Sequence, residues 1–302
     1  MSYEKWINKH TATLVGQVAV VTGGNSGIGF AAAAHFLSRG ARVVLACRSK
    51  ERGEAAVARL QRAVGGDVSL MLLDLANNKS IDAFAAALAA RHPKIDIFLH
   101  CAGVYYPKEA KTADGYPATV GVNYIGTVRL TELVLPLMEG DGRMIFTTSL
   151  VDRFGREGKV LSVEGYAAYA RSKYLLSAYA CRLAAARDPD RTPKIIAVHP
   201  GITATNLLSP EKTTHKPWFS RLGHAFLYLF THTPEKAALT ALLAAAGEVA
   251  HGCVVRPRGV FGISGYPKTV RFCRHVRRRA ASPLPFATAP VGEDARLSSP
   301  EI

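Results

Sequence analysis

Three residues in the middle of the chain could together move a proton to or from a substrate oxygen. Tyr169 and Lys173 are four positions apart in an Ala-rich stretch that predicts a helix, so the phenol and the ammonium would share one helical face. A nearby cation lowers the pKa of a tyrosine from about 10 toward neutral pH, which would let Tyr169 act as an acid and a base. Ser149 ends a strand-like run and could orient the substrate oxygen by hydrogen bonding.

Two neighbouring residues compete with this assignment. Tyr166 lies on the same predicted helix, but Ala170 rather than a lysine follows it four positions later. Thr148 directly precedes Ser149 and could supply the hydroxyl instead. We therefore predict Tyr169 and Ser149 and keep Thr148 as the alternative to Ser149.

A glycine-rich turn predicts a dinucleotide site. The sequence TGGNSGIG occupies positions 22–29 and leads from the first predicted strand directly into the first predicted helix. Glycines at such a turn let the backbone approach a pyrophosphate, and the helix N-terminus offers unpaired N–H donors and a positive dipole end. The predicted cofactor contacts in this turn are Gly23, Asn25, Ser26, Gly27, Ile28 and Gly29.

The end of the second predicted strand favours NADP(H) over NAD(H). In dinucleotide folds an acid at this place binds the ribose 2′-hydroxyl of NAD, whereas a cation meets the 2′-phosphate of NADP. Here Arg48 follows Cys47, and no acid occurs before Glu51. Arg48 can offer its planar guanidinium to the phosphate, and Lys50 or Arg52 could add charge.

The order of elements predicts an α/β fold with a doubly wound, Rossmann-like parallel sheet. Short apolar runs alternate with Ala-rich helical stretches without a break in composition. The predicted strands are Gln17–Thr22, Arg42–Ala46, Val68–Leu73, Ile95–His100, Arg143–Thr148 and Lys194–His199. The predicted helices are Gly27–Arg39, Glu51–Val64, Ser80–Arg91, Asp114–Met138, Tyr166–Ala186 and Pro234–Val249. We expect one domain over residues 15–262, after an N-terminal extension of residues 1–14 and before a basic, flexible tail of residues 263–302.

Composition narrows the class of protein. The 302 residues are 48% apolar and 20% charged, which is typical of a chain that buries a sizeable core. Five cysteines without metal-ligand spacing predict reduced thiols and no metal site. The chain shows neither a secretory signal nor an apolar run long enough to cross a bilayer. We therefore expect a cytoplasmic protein.

The positive charge is concentrated near the C-terminus. The formal net charge is +15, and no acid occurs between Glu248 and Glu293. This stretch is either a solvated tail or a contact for an anionic partner or a membrane surface. Nucleic acid is not expected as a partner, because the cations do not extend over the predicted core and form no recognised module. Peripheral membrane contact and homo-oligomer formation stay open.

Taken together, the ordered motifs resemble the short-chain dehydrogenase/reductase family over roughly residues 15–260. The resemblance rests on TGGNSGIG, His100-Cys101-Ala102-Gly103 after the fourth predicted strand, Asn123, Ser149, and Tyr169 with Lys173. It implies that Lys173 also binds the nicotinamide ribose and that Asn123 holds a water in a proton relay. It implies further cofactor contacts at Asp74, Leu75, Ala102, Gly103, Pro200, Gly201 and Thr205. The family's usual Asn-Asn-Ala-Gly is altered here, so the asparagine contacts that brace this turn are missing.

Within the family, the Ala-Cys-Arg sequence after strand two resembles the retinol dehydrogenase and WW-domain-containing oxidoreductase branch, although no WW module precedes the domain. This implies interconversion of a lipophilic alcohol and a carbonyl, such as an aldehyde, a ketone, a retinoid or a steroid. The insertion Val151–Gly165 and a helical, aromatic-rich lid at 203–232 would border the substrate, unless those aromatics pack on the core or on a partner subunit. The alternative function is a non-catalytic NADP-binding redox sensor or scaffold.

Overall fold

The structure is a computed structural model that describes residues 2–105, 110–154, 165–188, 190–201, 233–259, 262–281 and 284. Its centre is one eight-stranded sheet with the order β3-β2-β1-β4-β5-β6-β7-β8. The strands are β1 Val18–Thr22, β2 Arg42–Cys47, β3 Val68–Leu72, β4 Ile97–His100, β5 Arg143–Thr147, β6 Lys194–Val198, β7 Cys253–Pro257 and β8 Pro267–Arg271.

Neighbouring strands are parallel except β7 and β8, which pair in antiparallel fashion. All five residues of β1 are buried, as expected for a central strand covered by helices on both faces. β1 lies between β2 and β4, so the direction of winding reverses beside it. Such a reversal opens a ligand crevice at the carboxyl ends of the strands. The predicted fold class is confirmed.

Helices cover both faces of the sheet. They are α1 Tyr3–His10, α2 Gly27–Ser38, α3 Lys50–Ala63, α4 Asn78–Arg91, α5 Ala118–Val120, α6 Thr127–Val134, α7 Gly165–Ala185, α8 Pro234–Ala246 and α9 Arg274–Ala280. Residues of α1, α2, α3 and α8 share one hydrophobic cluster with the sheet. Residues of α4, α6, α7 and α9 share the cluster on the opposite face.

The long helix predicted around Asp114–Met138 is found over residues 118–137, but it begins four residues later and is not a uniform α-helix. The chain forms α5, then a π-helical turn over Gly121–Gly126, then α6 and a short 3-10 turn. A side chain on Gly126 would collide with the carbonyl oxygen of Leu75, so the backbone approaches the end of β3 more closely than a regular helix with a larger residue could. π-helical turns of this kind occur often at functional sites.

Residues 2–14 and much of the stretch from 262 to 284 pack against the sheet domain; the predicted division of the chain at residues 15 and 262 stays a prediction. Trp6 of α1 is 3% exposed and stacks on Tyr266 with ring centroids 5.3 Å apart. β8 and α9 follow the predicted domain end at residue 262, and β8 completes the sheet. The chain beyond residue 284 and the predicted lid at 203–232 lie outside the described residues. In the part of the chain that is described, no helix has both the length and the hydropathy to cross a membrane.

Candidate functional site

The glycine-rich turn between β1 and α2 packs tightly against the turn that follows β4. Gly23 and Gly27 have φ values of 67° and 56°, a conformation that glycine adopts without strain. A Cβ on Gly23 would lie 2.9 Å from the Cα of Ala102, and one on Gly29 would lie 2.5 Å from the Gly23 carbonyl oxygen. Larger residues at these positions would therefore displace the backbone of the two turns.

The first turn of α2 has no side-chain cap. Ser26 occupies the N-cap position but its hydroxyl makes no hydrogen bond to the turn. In contrast, Ser49 caps α3, Asn77 caps α4 and Thr233 caps α8 through side-chain oxygens. The free N–H groups and the helix dipole at α2 suit an anion, so this predicted set of residues fits a cofactor pyrophosphate.

At the end of β2, Cys47 is buried under the glycine-rich turn. Burial raises the pKa of the Cys47 thiol to about 11, although the backbone N–H groups of Gly24 and Asn25 and the charge of Arg52 act in the opposite direction. Arg48 and Arg52 are exposed beside it. Neither takes part in an ion pair among the residues that the structure describes. Two cations are thus available to a phosphate at this end of the crevice.

Asp74 and Leu75 follow β3 and border the crevice on that side. Asp74 Oδ1 accepts a 2.9 Å hydrogen bond from the Ala76 N–H, and the Asp74 N–H donates to Ser80 Oγ at 3.0 Å. Leu75 is 6% exposed. The two residues lie at the predicted edge of the sheet, and their contact with the cofactor stays a prediction.

The turn after β4 is braced by residues that sequence reasoning did not identify. Thr22 Oγ1 accepts hydrogen bonds from the N–H groups of Cys101 at 2.9 Å and Ala102 at 3.0 Å. His100 replaces the family's first asparagine and is buried, with Nε2 3.0 Å from Thr131 Oγ1. Burial lowers the pKa of His100 to about 3, so it stays neutral. The sequence did contain a clue to this brace, because Thr22 is the first residue of the TGGNSGIG motif.

Asn123 lies in the π-helical turn and is 1% exposed. Its Oδ1 accepts from the Val104 N–H at 2.8 Å, and its Nδ2 donates to the Val104 carbonyl at 2.9 Å and to Ser172 Oγ at 3.1 Å. Ser172 in turn donates to the Tyr169 carbonyl at 2.8 Å. The Asn123 side chain therefore connects the chain just after Gly103 with the helix that carries Tyr169.

Ser149 and Tyr169 are brought together from β5 and α7. A hydrogen bond between their side chains lowers the pKa of Tyr169, but burial has the larger effect and raises it to about 12. Thr148 is buried and donates its hydroxyl to the Val198 carbonyl at 3.1 Å, so it faces β6 instead. Tyr166 is 54% exposed. The geometry favours Ser149 over Thr148 and Tyr169 over Tyr166.

Lys173 is a buried cation one helical turn beyond Tyr169. Its Nζ donates to the Thr147 carbonyl at 2.9 Å and lies 6.0 Å from the centroid of the Tyr169 ring. Burial lowers the pKa of Lys173 to about 8. The expected lowering of the Tyr169 pKa by Lys173 is not found in this structure: desolvation has the largest effect on the phenol, and Lys173 is not among the groups that shift its pKa.

The remaining predicted contacts follow β6. Gly201 has a φ of 84°, and its N–H donates to His199 Nδ1 at 3.1 Å. A side chain on Gly201 would collide with the Ile263 carbonyl, so the loop between β7 and β8 supports the turn at Pro200 and Gly201. Thr205 lies outside the described residues.

Two further residues border the site without having been predicted. Cys101 lies close enough to Lys173 for the ammonium to oppose the rise in pKa that burial imposes on its thiol. Tyr105 meets the Tyr169 ring edge-on, with centroids 6.1 Å apart. Among the described residues, no cluster of side chains has the composition of a metal site. The site thus combines a cradle for a dinucleotide with a hydroxyl, a phenol and an ammonium that meet at one end of it.

Comparison with known proteins agrees with this arrangement. The model of the short chain dehydrogenase family matches residues 17–216. Human retinol dehydrogenase 11 is 33% identical over 247 residues, which cover 79% of this chain and 75% of the relative. Bovine dehydrogenase/reductase SDR family member 13 is 36% identical over 248 residues, which cover 78% of this chain but only 64% of the relative's length.

Solved structures show the same fold. An uncharacterized protein from Mycobacterium paratuberculosis superposes with a TM-score of 0.68 at 26% identity and covers 90% of each chain. The NADP active-site complex of RhlG from Pseudomonas aeruginosa superposes with a TM-score of 0.63 at 23% identity, and covers 78% of this chain and 91% of its own.

The fold and the site define the class of nicotinamide-dependent oxidoreductases. The chain belongs to the short-chain dehydrogenase/reductase family. The predicted likeness to the retinol dehydrogenase branch is also confirmed, because retinol dehydrogenases from human and mouse are among the proteins similar to this chain.

Proposed function

We propose that this chain is an NADP(H)-dependent oxidoreductase that interconverts a lipophilic alcohol and the corresponding aldehyde or ketone. The observation that carries the proposal is that Ser149 and Tyr169 lie close enough for Ser149 to lower the pKa of the phenol, with the ammonium of Lys173 6.0 Å from the Tyr169 ring. These groups lie at the carboxyl edge of the sheet, beside a turn suited to a dinucleotide. A binding protein without turnover would not need a phenol and a hydroxyl in this relation.

Tyr169 is the proposed acid and base. Because burial raises its pKa to about 12, the phenol keeps its proton at neutral pH. It can therefore donate that proton to a carbonyl oxygen as the oxygen gains negative charge, and it would take the proton back in the reverse reaction. Ser149 holds the same oxygen by a hydrogen bond and fixes its distance from the phenol.

NADP(H) is the proposed cofactor, and it would supply the hydride for reduction. The uncapped first turn of α2 would receive the pyrophosphate. Arg48, with Arg52 beside it, would bind the 2′-phosphate by charge-assisted hydrogen bonds. Lys173 would bind the nicotinamide ribose, and Asn123 would position the chain around Gly103 beside it.

A lipophilic substrate is proposed from the names of the relatives and the nature of the site. Retinol dehydrogenases and polyprenol dehydrogenases are among the similar proteins, and their names denote long apolar alcohols. Tyr105 adds an aromatic side chain against Tyr169. A cytoplasmic location and assembly into homo-oligomers remain predictions.

The proposed activity is tested by NADPH oxidation with a panel of lipophilic aldehydes and ketones. Replacement of Tyr169 by Phe should lower turnover by about 10²–10⁴-fold, the usual contribution of general acid catalysis, while NADPH binding is retained. Tyr166→Phe is the matched control, because Tyr166 is an exposed tyrosine three positions away on the same helix.

Two outcomes would count against the proposal. Equal turnover by the wild type and the Tyr169→Phe variant would remove Tyr169 from the chemistry. NADPH binding without turnover in either direction, across the whole panel, would favour the alternative of a redox sensor or scaffold.

A further inference from the structure

The outer face of α9 carries a cluster of arginines. Arg274, Arg277 and Arg278 are spaced three and four positions apart, so they share one face of the helix, and all three are exposed. Val276 is 0% exposed and Ala280 is 8% exposed on the opposite face. The helix is therefore divided into a buried apolar side and an exposed cationic side.

Packing holds this helix in a defined position. Phe272 and Val276 belong to the hydrophobic cluster that contains Tyr179 and Leu183 of α7. Leu284, beyond the end of α9, is 5% exposed and joins the same cluster. The arginines are thus displayed by a folded part of the domain and not by a solvated tail.

Further cations from β8, α9 and α7 extend the cluster. Arg271 at the end of β8 is exposed. Burial raises the pKa of Tyr124, and both Arg279 and Arg182 act against that rise, so both arginines lie near Tyr124; they belong to α9 and α7, which share one hydrophobic cluster. We call this set the basic surface; its members are Arg182, Arg271, Arg274, Arg277, Arg278 and Arg279.

The charges of α9 are poorly compensated within the described chain. The ion pairs found there involve none of the four arginines of α9. Arginines at four-residue spacing on a helix repel one another, so Arg274 and Arg278 destabilise the free helix slightly. An external anion would remove that repulsion.

We propose that the basic surface docks on the anionic headgroups of a lipid membrane. A membrane presents many phosphate and carboxylate groups in one plane, which matches arginines on the outer side of a helix and at the end of its neighbouring strand. Nucleic acid fits less well, because none of the exposed large apolar or aromatic side chains in the described chain lies on this surface to stack on bases. Because this surface lacks exposed large apolar side chains among the described residues, its contact with the membrane is electrostatic and involves no insertion into the lipid.

The biological role of this contact rests on the proposed function, because a lipophilic substrate partitions into membranes. Its test does not depend on activity. The full chain is sedimented with vesicles of phosphatidylcholine alone and with vesicles that contain 30% phosphatidylserine. Binding is expected only to the latter, and it should be lost when NaCl is raised from 0.1 to 0.5 M, because salt screens exposed charges.

Arg274→Glu/Arg277→Glu/Arg278→Glu is the informative variant. It should reduce binding to the anionic vesicles at least tenfold, since each cation near such a surface contributes favourably. The matched control is Arg62→Glu/Lys79→Glu/Arg91→Glu, which reverses three exposed cations on α3 and α4, near the opposite edge of the sheet. The control variant changes the net charge by the same amount as the α9 variant, and it should lose much less binding to the anionic vesicles.

Three results would overturn the proposal. They are equal binding to neutral and anionic vesicles, equal loss in the two triple variants, and binding to a single-stranded RNA but not to the vesicles. Circular dichroism of each variant shows whether it is folded, and the milder Arg274→Gln/Arg278→Gln variant should still lose binding severalfold. Failure of vesicle binding with intact NADPH turnover would reject only this inference and leave the proposed function standing.

Discussion

Lys173 brings a positive charge into the interior at the centre of the candidate site. Its side chain is 4% exposed and has one recorded hydrogen bond, to the Thr147 carbonyl. Burial disfavours the charged form and lowers the pKa of Lys173 from 10.5 to about 8. The folded protein therefore holds this proton less tightly than the unfolded chain does.

The lowered pKa predicts a pH-dependent stability. Between pH 8 and pH 10.5 the unfolded chain binds the Lys173 proton and the folded chain does not, so this group raises the free energy of unfolding as the pH increases. Relative to Lys173→Met, the wild type should gain roughly 1 kcal/mol per pH unit in this window. Urea unfolding of both proteins at pH 7 and pH 9.5 measures the effect, and a constant difference would contradict it.

Arg48 is the residue on which the choice of NADP(H) depends. Arg48→Ala should weaken NADPH binding by about 10–100-fold, the range expected when a charged hydrogen bond to phosphate is lost, and should change NADH binding little. Arg42→Ala is a suitable control, because Arg42 is an exposed arginine at the other end of β2. Fluorescence titration gives both dissociation constants, and an equal loss for NADPH and NADH would exclude the 2′-phosphate as the partner of Arg48.

Among the elements, the turn after β4 shows how a departure from the family's usual residues is accommodated. The altered motif has His100 and Cys101 where asparagines are usual, yet the backbone N–H groups of Cys101 and Ala102 are satisfied by Thr22. His100 fills the interior by stacking on Phe146, with ring centroids 4.9 Å apart. The turn therefore keeps its place beside the glycine-rich turn.

Removal of the Thr22 hydroxyl should weaken both turns. Thr22→Val keeps the shape of the side chain but leaves two backbone N–H groups without their acceptor, so the free energy of unfolding should fall by about 1–3 kcal/mol. Affinity for NADPH should fall with it. Thr13→Val removes two exposed hydrogen bonds, one to the Arg39 carbonyl and one from the Val15 N–H, and because water can replace both it should cost much less in the same thermal or urea unfolding experiment.

Across the whole molecule, the N-terminal helix α1 packs against the loop between β7 and β8. Trp6 lies between His10 and Tyr266, with stacked rings on both sides. Tyr3 and His35 share a 2.7 Å hydrogen bond that ties α1 to α2. The first helix thus contacts both the dinucleotide-binding part of the fold and the loop between the last two strands.

This packing makes the N-terminal helix part of the stable domain. Trp6→Ala should lower the free energy of unfolding by about 3–5 kcal/mol, as for other large buried aromatics. Lys9→Ala on the exposed side of α1 should change it by less than about 0.5 kcal/mol. Chemical denaturation compares the two; similar small effects would mean that α1 is detached from the domain in solution.

Local patterns in the sequence determined the class of fold and the set of reactive groups. The six predicted strands agree with the structure to within two residues at each end, because short apolar runs bounded by turn residues are a local signal. The glycine-rich turn and the four-residue spacing of Tyr169 and Lys173 are local as well. Their chemistry could therefore be inferred before any contact was known.

Features that depend on residues distant along the chain could not be inferred from local patterns and are known only from the tertiary structure. β8 and α9 are ordered because β7 and α7 provide partners. The π-helical turn at Asn123 lies where Gly126 closely approaches Leu75, a contact between residues that are distant along the chain. The pKa of Tyr169 rises instead of falling because desolvation depends on everything that surrounds the phenol, whereas spacing along a helix reports a single neighbour.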